Sequence, residues 1–163
     1  MKNIIVALDF SDVNASLVSY AVGLAKCTKA KIWLIHVASP DPDFVGFEVG
    51  PKYIRDHRAH ELRKEHKMLQ ETAKEVQAQN IACEALLVQG DTVVTLLEKA
   101  KDLQADAIVI AAKSHGFLYE SLVGSVFRGI LENAHIPLFV LPSHCFKHEE
   151  WSVVHEQNIE KHS

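Results

Sequence analysis

Residues 108–126 define the architecture of this chain and read Ile108-Val-Ile-Ala-Ala-Lys-Ser-His-Gly-Phe-Leu-Tyr-Glu-Ser-Leu-Val-Gly-Ser-Val126. The segment begins as a buried strand, continues through a loop of small residues and ends on a Gly-Ser pair inside an amphipathic helix. A strand followed by backbone amides and a helix start can hold phosphate without dedicated charged side chains. The segment therefore predicts an α/β protein with an anion-binding turn after one strand.

The rest of the chain alternates apolar strands with helical patterns. The predicted strands are Lys2–Leu8, Ile32–Val37, Ile81–Val88, Ala107–Ala112 and Pro137–Leu141. The predicted apolar helix stripes are Leu17, Tyr20, Ala21, Leu24 and Ala25; Leu62, Leu69, Ala73 and Val76; Val94, Leu97, Ala100 and Leu103; and Leu122, Val123, Val126, Phe127, Ile130 and Leu131. Strict alternation of strands and helices predicts a parallel sheet covered on both faces.

Composition narrows the class of protein. A chain of 163 residues that is 48% hydrophobic fits one domain with a buried core. The net charge of -4 and the absence of a basic stripe argue against a nucleic-acid partner. The first apolar run is too short for a membrane span or a signal segment, so we expect no membrane contact. The three cysteines are odd in number and widely spaced, which suggests reduced thiols rather than disulfides, so we expect a cytoplasmic protein. Cys27 and Cys83 are predicted to be small core residues.

Ligands of open parallel sheets bind beyond the carboxyl ends of the strands, where the strand order reverses. In this chain the residues at those ends are Asp9, Val37–Ser39 and Ala111–Gly116. Ser11, which follows Asp9, is predicted to cap the first helix, and Asp91 to cap the third. A second interpretation of Asp9 is a cap or turn residue before the first helix. The pattern alone therefore predicts a ligand site that includes these three strand ends.

The segment resembles the nucleotide signature of the universal stress protein family, Gly-x2-Gly-x9-Gly-Ser/Thr after the fourth strand. Aligned without gaps, the chain keeps Gly124 and Ser125 and has Ala111 and Ser114 at the two earlier glycines. Residues 1–142 resemble the family domain, and residues 143–163 are predicted to be a C-terminal tail. The resemblance implies a single doubly wound domain with a five-stranded parallel sheet of order 3-2-1-4-5, the adenine nucleotide alpha hydrolase-like fold.

The resemblance also implies roles for individual residues. Val6–Ser11 is similar to the family's first strand, which implies that Asp9 contacts ribose or adenine and that Ala7 lines the adenine pocket. The remaining implied positions are Val37 at the adenine, Ile110 and Ala111 at the ribose, and Ser114, Gly124, Ser125 and Val126 at the phosphates. An alternative register uses Ser114-His115-Gly116 as the phosphate turn, but the ungapped register keeps the family spacing on both sides of the loop.

Ser114 is the more serious of the two departures from the family signature. If its position requires φ > 0, a side chain there costs about 1 kcal/mol and also crowds a phosphate that approaches the backbone. The Ser114 hydroxyl can instead donate a hydrogen bond to that phosphate. Gly124 and Gly129 have a second interpretation, close packing of the fourth helix on the sheet.

The expected function is that of a regulatory stress protein which binds ATP or AMP, with Mg²⁺ accompanying a triphosphate. It is expected to pair as a homodimer through the fifth strand, Ile136 to Val140, and to act on an unknown regulatory protein partner. Any ATP turnover is expected to be slow and incidental. The main alternative is a family member that binds no nucleotide and acts through protein contacts, and a third interpretation is an enzyme on a related fold.

Several motifs of catalysis and metal binding are missing from the sequence. It contains no P-loop, no Gly-x-Gly-x2-Gly after the first strand and no Gly-x-Ser-x-Gly elbow, so no catalytic residue is predicted. The histidines of the second helix (His57, His60 and His66) and of the tail (His144 and His148, with Cys145) lack a clear set of four ligands, so no metal site is predicted. A zinc-binding tail is retained as a smaller alternative. For the loop 38–50 a lid, a partner surface and a dimer contact all remain open.

Overall fold

Five parallel strands and four helices alternate along the chain. The computed structural model describes residues 1–11, 14–39, 52–112 and 125–142. The strands are β1 (Asn3–Ala7), β2 (Lys31–Ala38), β3 (Cys83–Gln89), β4 (Ala107–Ala112) and β5 (Leu138–Pro142). The helices are α1 (Asn14–Thr28), α2 (Lys52–Gln77), α3 (Thr92–Asp102) and α4 (Ser125–Asn133). The predicted α/β fold is confirmed, with the strands in the order β3-β2-β1-β4-β5.

The hydrophobic core has one layer on each face of this sheet. Leu17 and Leu69, from α1 and α2, belong to the layer on one face. Leu96 and Ile130, from α3 and α4, belong to the layer on the other. The central strand β1 pairs with β2 on one side and with β4 on the other, and its continuous apolar run supplies side chains to both layers. The strand order therefore reverses between β1 and β4, at the middle of the molecule.

The turn before α3 depends on Gly90 and Asp91. Asp91 is the N-cap, as predicted, and its side chain accepts a hydrogen bond from the Val94 amide at 3.0 Å. Gly90 has a φ of 152°, and a Cβ placed on it would lie 2.5 Å from Thr95 Oγ1. Only glycine fits there without strain, which explains why β3 ends at this point.

Helix α2 is packed differently along its length. Leu69, Ala73 and Val76 in its second half are buried against the sheet. In its first half, the partly buried positions mix apolar Ile54 and Leu62 with polar Arg58 and Glu65, and the Arg58 guanidinium donates to the Ser39 carbonyl. In the described ranges, neither this helix nor any other is long and apolar enough to span a membrane.

The structure corrects several sequence interpretations of single residues. Tyr20, Val94 and Leu131 are exposed rather than core residues, because each lies at the edge of its helix's predicted stripe. Other members of the same stripes are buried, among them Leu17, Ala21, Ala100 and Ile130. Gly129 packs on Val93 of α3 and not on the sheet. Ser11 does not cap α1, which begins at Asn14, and its hydroxyl instead donates to Asp9 Oδ1.

The two described cysteines differ in burial. Cys83 is buried, as predicted, and desolvation, with a smaller contribution from Glu84, raises its pKa to about 11. A thiol with so high a pKa is almost entirely protonated at neutral pH and is a poor nucleophile. Cys27 is exposed on α1, so its assignment to the core was wrong.

Candidate functional site

A cleft of about 330 Å³ opens beyond the carboxyl ends of β1, β2 and β4. Its strand residues are Ala7, Leu8, Asp9, Ile35, His36, Val37, Ile110 and Ala111. Its helix residues are Thr92 and Leu96 of α3 and Val126, Phe127 and Ile130 of α4. The cleft therefore lies where the strand order reverses, the usual place for a ligand in a doubly wound sheet.

Most of the predicted site residues that the structure describes line this one cleft. They are Ala7, Asp9, Val37, Ile110, Ala111 and Val126. Ser125 begins α4, directly before Val126. Ser114, His115, Gly116 and Gly124 lie outside the described residues. The sequence analysis did not predict Thr92, Leu96 and His36 as site residues. Thr92 and Leu96 belong to α3, and no local sequence pattern indicates that the start of this helix lies at the cleft.

Asp9 has a structural role in addition to its place in the cleft. Its Oδ1 accepts a hydrogen bond from the Ser11 backbone amide at 3.0 Å and a second from the Ser11 hydroxyl. Such a turn matches the second sequence interpretation of Asp9, a turn residue before α1. The next residue, Phe10, has a φ of 57°, which is uncommon for a residue with a side chain. The turn therefore fixes the position of the carboxylate at the rim of the cleft.

His36 connects the cleft to the opposite face of the sheet. Its Nδ1 lies 2.7 Å from the Leu8 carbonyl, and since a carbonyl can only accept, Nδ1 is the donor. The His36 ring also packs against Phe10, with ring centroids 4.5 Å apart. The sequence signal was a single polar residue inside the apolar run of β2, immediately before Val37.

The two helix starts at the cleft differ in the groups they offer to an anion. At the start of α3, the Asp91 carboxylate already accepts the Val94 amide, and its negative charge repels a phosphate. At the start of α4, Ser125 is the first helical residue, and Val126 lines the cleft. Backbone amides at a helix start attract anions, so the α4 end of the cleft is the better place for a phosphate.

Two further features of the described residues bear on the chemistry that the protein can perform. No group of three or more His, Cys, Asp or Glu side chains comes together there in an arrangement that could hold a metal ion. A second cavity of about 320 Å³ lies on the other face of the sheet, between α1 and α2. Its lining includes Phe10 and Val18 as well as the polar residues Thr72 and Glu75.

The comparison with protein families finds one match, to the universal stress protein family over residues 1–142. Two similar relatives are universal stress proteins of Methanocaldococcus jannaschii and Bacillus subtilis, each 27% identical over 86% of this chain. The alignments cover 81% of the first relative and 98% of the second.

Solved structures show the same fold. A universal stress protein of Lactobacillus plantarum matches with a TM-score of 0.73 at 18% identity, over 86% of this chain and 97% of that one. An Arabidopsis thaliana family protein with AMP bound has a TM-score of 0.64 at 18% identity, over 89% and 94% of the two chains. An Archaeoglobus fulgidus universal stress protein in complex with dAMP has a TM-score of 0.60 at 17% identity, over 86% and 97%.

Proposed function

Because the chain belongs to the universal stress protein family, we propose that it is a cytoplasmic regulatory protein that binds an adenine mononucleotide, AMP or ATP, in the cleft beyond β1 and β4. One observation carries the proposal. Six residues assigned to nucleotide contact from the sequence come from four separate segments and line one cleft. We propose no catalytic residue, and any ATP turnover is expected to be slow and incidental.

The groups around the cleft suit the parts of a nucleotide. Val37 and Ile110 provide apolar walls for a base. The Asp9 carboxylate is an acceptor for ribose hydroxyls or for the adenine amino group. The start of α4 is the expected phosphate end, because the start of α3 carries Asp91. In this orientation a triphosphate would extend past the start of α4 and would bring Mg²⁺ with it.

Two further observations favour a mononucleotide. The cleft volume of about 330 Å³ is at the lower end of the range of about 300–1,000 Å³ typical of ligand pockets. The Arabidopsis and Archaeoglobus relatives hold AMP and dAMP, both adenine mononucleotides. Both observations support a ligand of one nucleoside rather than a dinucleotide.

Calorimetric titration of the nucleotide-stripped protein tests the proposal. We expect micromolar binding of AMP and of ATP with Mg²⁺, and much weaker binding of GTP. Val126→Trp places a large side chain in the cleft and should weaken AMP binding by about tenfold or more, about 1.4 kcal/mol. Val94→Trp is the matched control, because Val94 is exposed on the outer side of α3. No heat and no rise in melting temperature at millimolar nucleotide would refute the proposal.

The main alternative is a family member that acts only through protein contacts. Ser114→Gly distinguishes the two, because it restores the glycine of the family signature. In a nucleotide-binding protein this change should tighten AMP and ATP binding, since the family signature has glycine at this phosphate position and a Cβ there would crowd the ligand. In a protein without a nucleotide site it should change neither binding nor melting temperature in the presence of nucleotide.

We also propose a homodimer that forms through β5. This strand is at the edge of the sheet, and within the described ranges it pairs with β4 alone. Val140, near its middle, exposes 36% of its surface. An unpaired edge with apolar side chains is a template for pairing with another strand, and a second copy of β5 is the proposed partner.

A further inference from the structure

His36 holds the backbone that leads into the proposed nucleotide site. Its Nδ1 donates to the Leu8 carbonyl at 2.7 Å, while the Leu8 amide donates to the Ile35 carbonyl at 2.8 Å. Leu8 is therefore bound to β2 through both its amide and its carbonyl, one residue beyond the end of β1. Asp9 follows directly and lines the cleft.

The residue after Asp9 is held by the same side chain. The Phe10 ring packs on the His36 ring at 4.5 Å, and the Phe10 backbone has a φ of 57°. A positive φ at a residue with a side chain persists only when surrounding contacts maintain it. His36 thus contacts the residues on both sides of Asp9, and its state affects where that carboxylate lies.

Glu65 of α2 faces the other nitrogen of the ring. His36 Nε2 lies 3.7 Å from Glu65 Oε2, which is buried and has no hydrogen-bond partner among the described residues. When the ring is neutral with its proton on Nδ1, the Nε2 lone pair faces the lone pairs of the carboxylate, and the two repel. A second proton, on Nε2, changes this repulsion into an N–H donor directed at Oε2.

In the described ranges, the charged residues on the neighbouring elements have other partners. On α2, Arg58 donates to the Ser39 carbonyl just beyond β2 and lies 3.6 Å from Glu61. At the exit of β1, the charged residue is Asp9, whose carboxylate accepts hydrogen bonds from Ser11. On β3, the residue paired with His36 is the uncharged Leu87. Glu65 is therefore the charged group placed to respond when the ring gains or loses a proton.

We propose that His36 is a positioning residue for Asp9 and that proton uptake by the His36–Glu65 pair raises the affinity of the cleft for nucleotide. The proposal rests on the proposed function, since it concerns the regulation of that same site. Histidine is the side chain that ordinarily changes charge between about pH 5 and pH 8. Nδ1 donates to Leu8 in both charge states, and the second proton adds a bond from Nε2 to Glu65 that fixes the ring against which Leu8 and Phe10 are held. The nucleotide then binds a turn that is already ordered.

Calorimetric titration with AMP at about pH 5.5 and about pH 8 tests the proposal on the wild type, Glu65→Gln and Glu71→Gln. The wild type should bind AMP about fivefold more tightly at the lower pH, a coupling at the lower end of the usual range. In Glu65→Gln the amide can donate to the neutral Nε2, so this gain should disappear and affinity at the higher pH should rise. Glu71, exposed on the same helix, is the control for loss of one charge, and its variant should behave as the wild type. The AMP phosphate also titrates near pH 6 but contributes equally to all three proteins.

A Glu65→Gln protein whose ratio of AMP affinities at the two pH values equals that of the wild type would overturn the inference while leaving the proposed function intact, because the AMP phosphate contributes equally to both ratios. Absence of AMP binding in all three proteins at both pH values would refute the proposed function instead. NMR of the nucleotide-free protein then tests the positioning role separately. The backbone amides of Leu8, Asp9 and Phe10 should shift together with the His36 ring as it titrates, and amides that do not follow the ring would overturn the inference.

Discussion

Gly129 lies where α4 packs directly on α3. A Cβ placed on it would lie 2.8 Å from Val93 Cγ2, closer than side-chain carbons approach one another. Gly23 of α1 offers the opposite environment, because nothing lies within 4 Å of a Cβ placed there. The same residue type is thus required at one position and dispensable at the other, a distinction that the sequence does not reveal.

Alanine substitution at these two glycines should have opposite effects. Gly129→Ala should lower the free energy of unfolding by about 1–3 kcal/mol, because the added methyl pushes Val93 and α3 away. Gly23→Ala should raise it by about 0.5–1 kcal/mol, because alanine loses less backbone entropy in an exposed helix. Urea denaturation of both variants measures the difference. A Gly129→Ala protein as stable as the wild type would contradict the packing argument.

Asp106 joins two elements that are far apart in sequence, the turn before β4 and the start of β1. Its carboxylate accepts hydrogen bonds from the backbone amides of Asn3, at 2.9 Å, and of Lys2. These bonds hold the pKa of the Asp106 carboxyl below its usual value, and the bond from the Asn3 amide has the larger effect. In return, the Asp106 amide donates to the Asn3 carbonyl at 2.8 Å. The pair of strands at the centre of the sheet is thus fixed at the end opposite the cleft.

Loss of the Asp106 carboxylate should matter at neutral pH and not in acid. Because its pKa is lower in the folded chain than in the unfolded chain, the carboxylate stabilises the fold above the unfolded pKa of about 3.9. This contribution is lost as the pH falls through the folded pKa. Asp106→Asn should therefore lower the melting temperature at about pH 7, and the difference from the wild type should narrow at about pH 3.

Asp102→Asn is the matched control for this experiment. Asp102 forms an exposed pair with Lys99 at 2.8 Å, and exposed ion pairs contribute little to stability. Its variant should melt close to the wild type at both pH values, as measured by circular dichroism. A constant deficit of Asp106→Asn across the pH range would show that its carboxylate charge is not what stabilises β1.

Strands and helices were predictable from the sequence where their burial produces a clear pattern of apolar residues. β4 spans the predicted residues 107–112, because a strand buried on both faces is a continuous apolar run with sharp ends. Helix faces were less predictable. Val94 fits an apolar stripe but is 54% exposed, whereas Thr95, a polar residue, is buried beside Gly90. The rotation of an amphipathic helix is set by what it packs on, and spacing alone does not fix it.

At the scale of the whole molecule, topology was predictable and side-chain pairings were not. Strict alternation of strands and helices, together with the family resemblance, predicted the strand order that is observed. The order then brings Asp9, Val37 and Ala111 to one edge of the sheet. The contact between His36 and Glu65 had no sequence signal, because the two residues meet only after α2 has folded back along β2.

The assembly of the whole molecule into the proposed dimer can be tested at the edge strand β5. Val140→Lys places a charge on the exposed edge of β5. Proteins commonly use a lysine on an edge strand to prevent pairing with another strand. We expect the wild type to elute as a dimer in size-exclusion chromatography with light scattering, and Val140→Lys as a folded monomer. Val94→Lys, on the exposed side of α3, should remain dimeric. A monomeric wild type, or a Val140→Lys dimer, would contradict pairing through β5.

The central place of β1 also affects how the protein forms during synthesis. β1, β2 and β3 are translated first and are neighbours in the sheet, so a nascent chain can build half of the sheet while one edge of β1 stays open. That edge closes only when β4 has left the ribosome, about 100 residues after β1. The ligand cleft lies where these two strands meet. Under the proposed function, a nucleotide would bind only a chain in which β1 and β4 have paired, and a ligand present in the cell would favour that pairing.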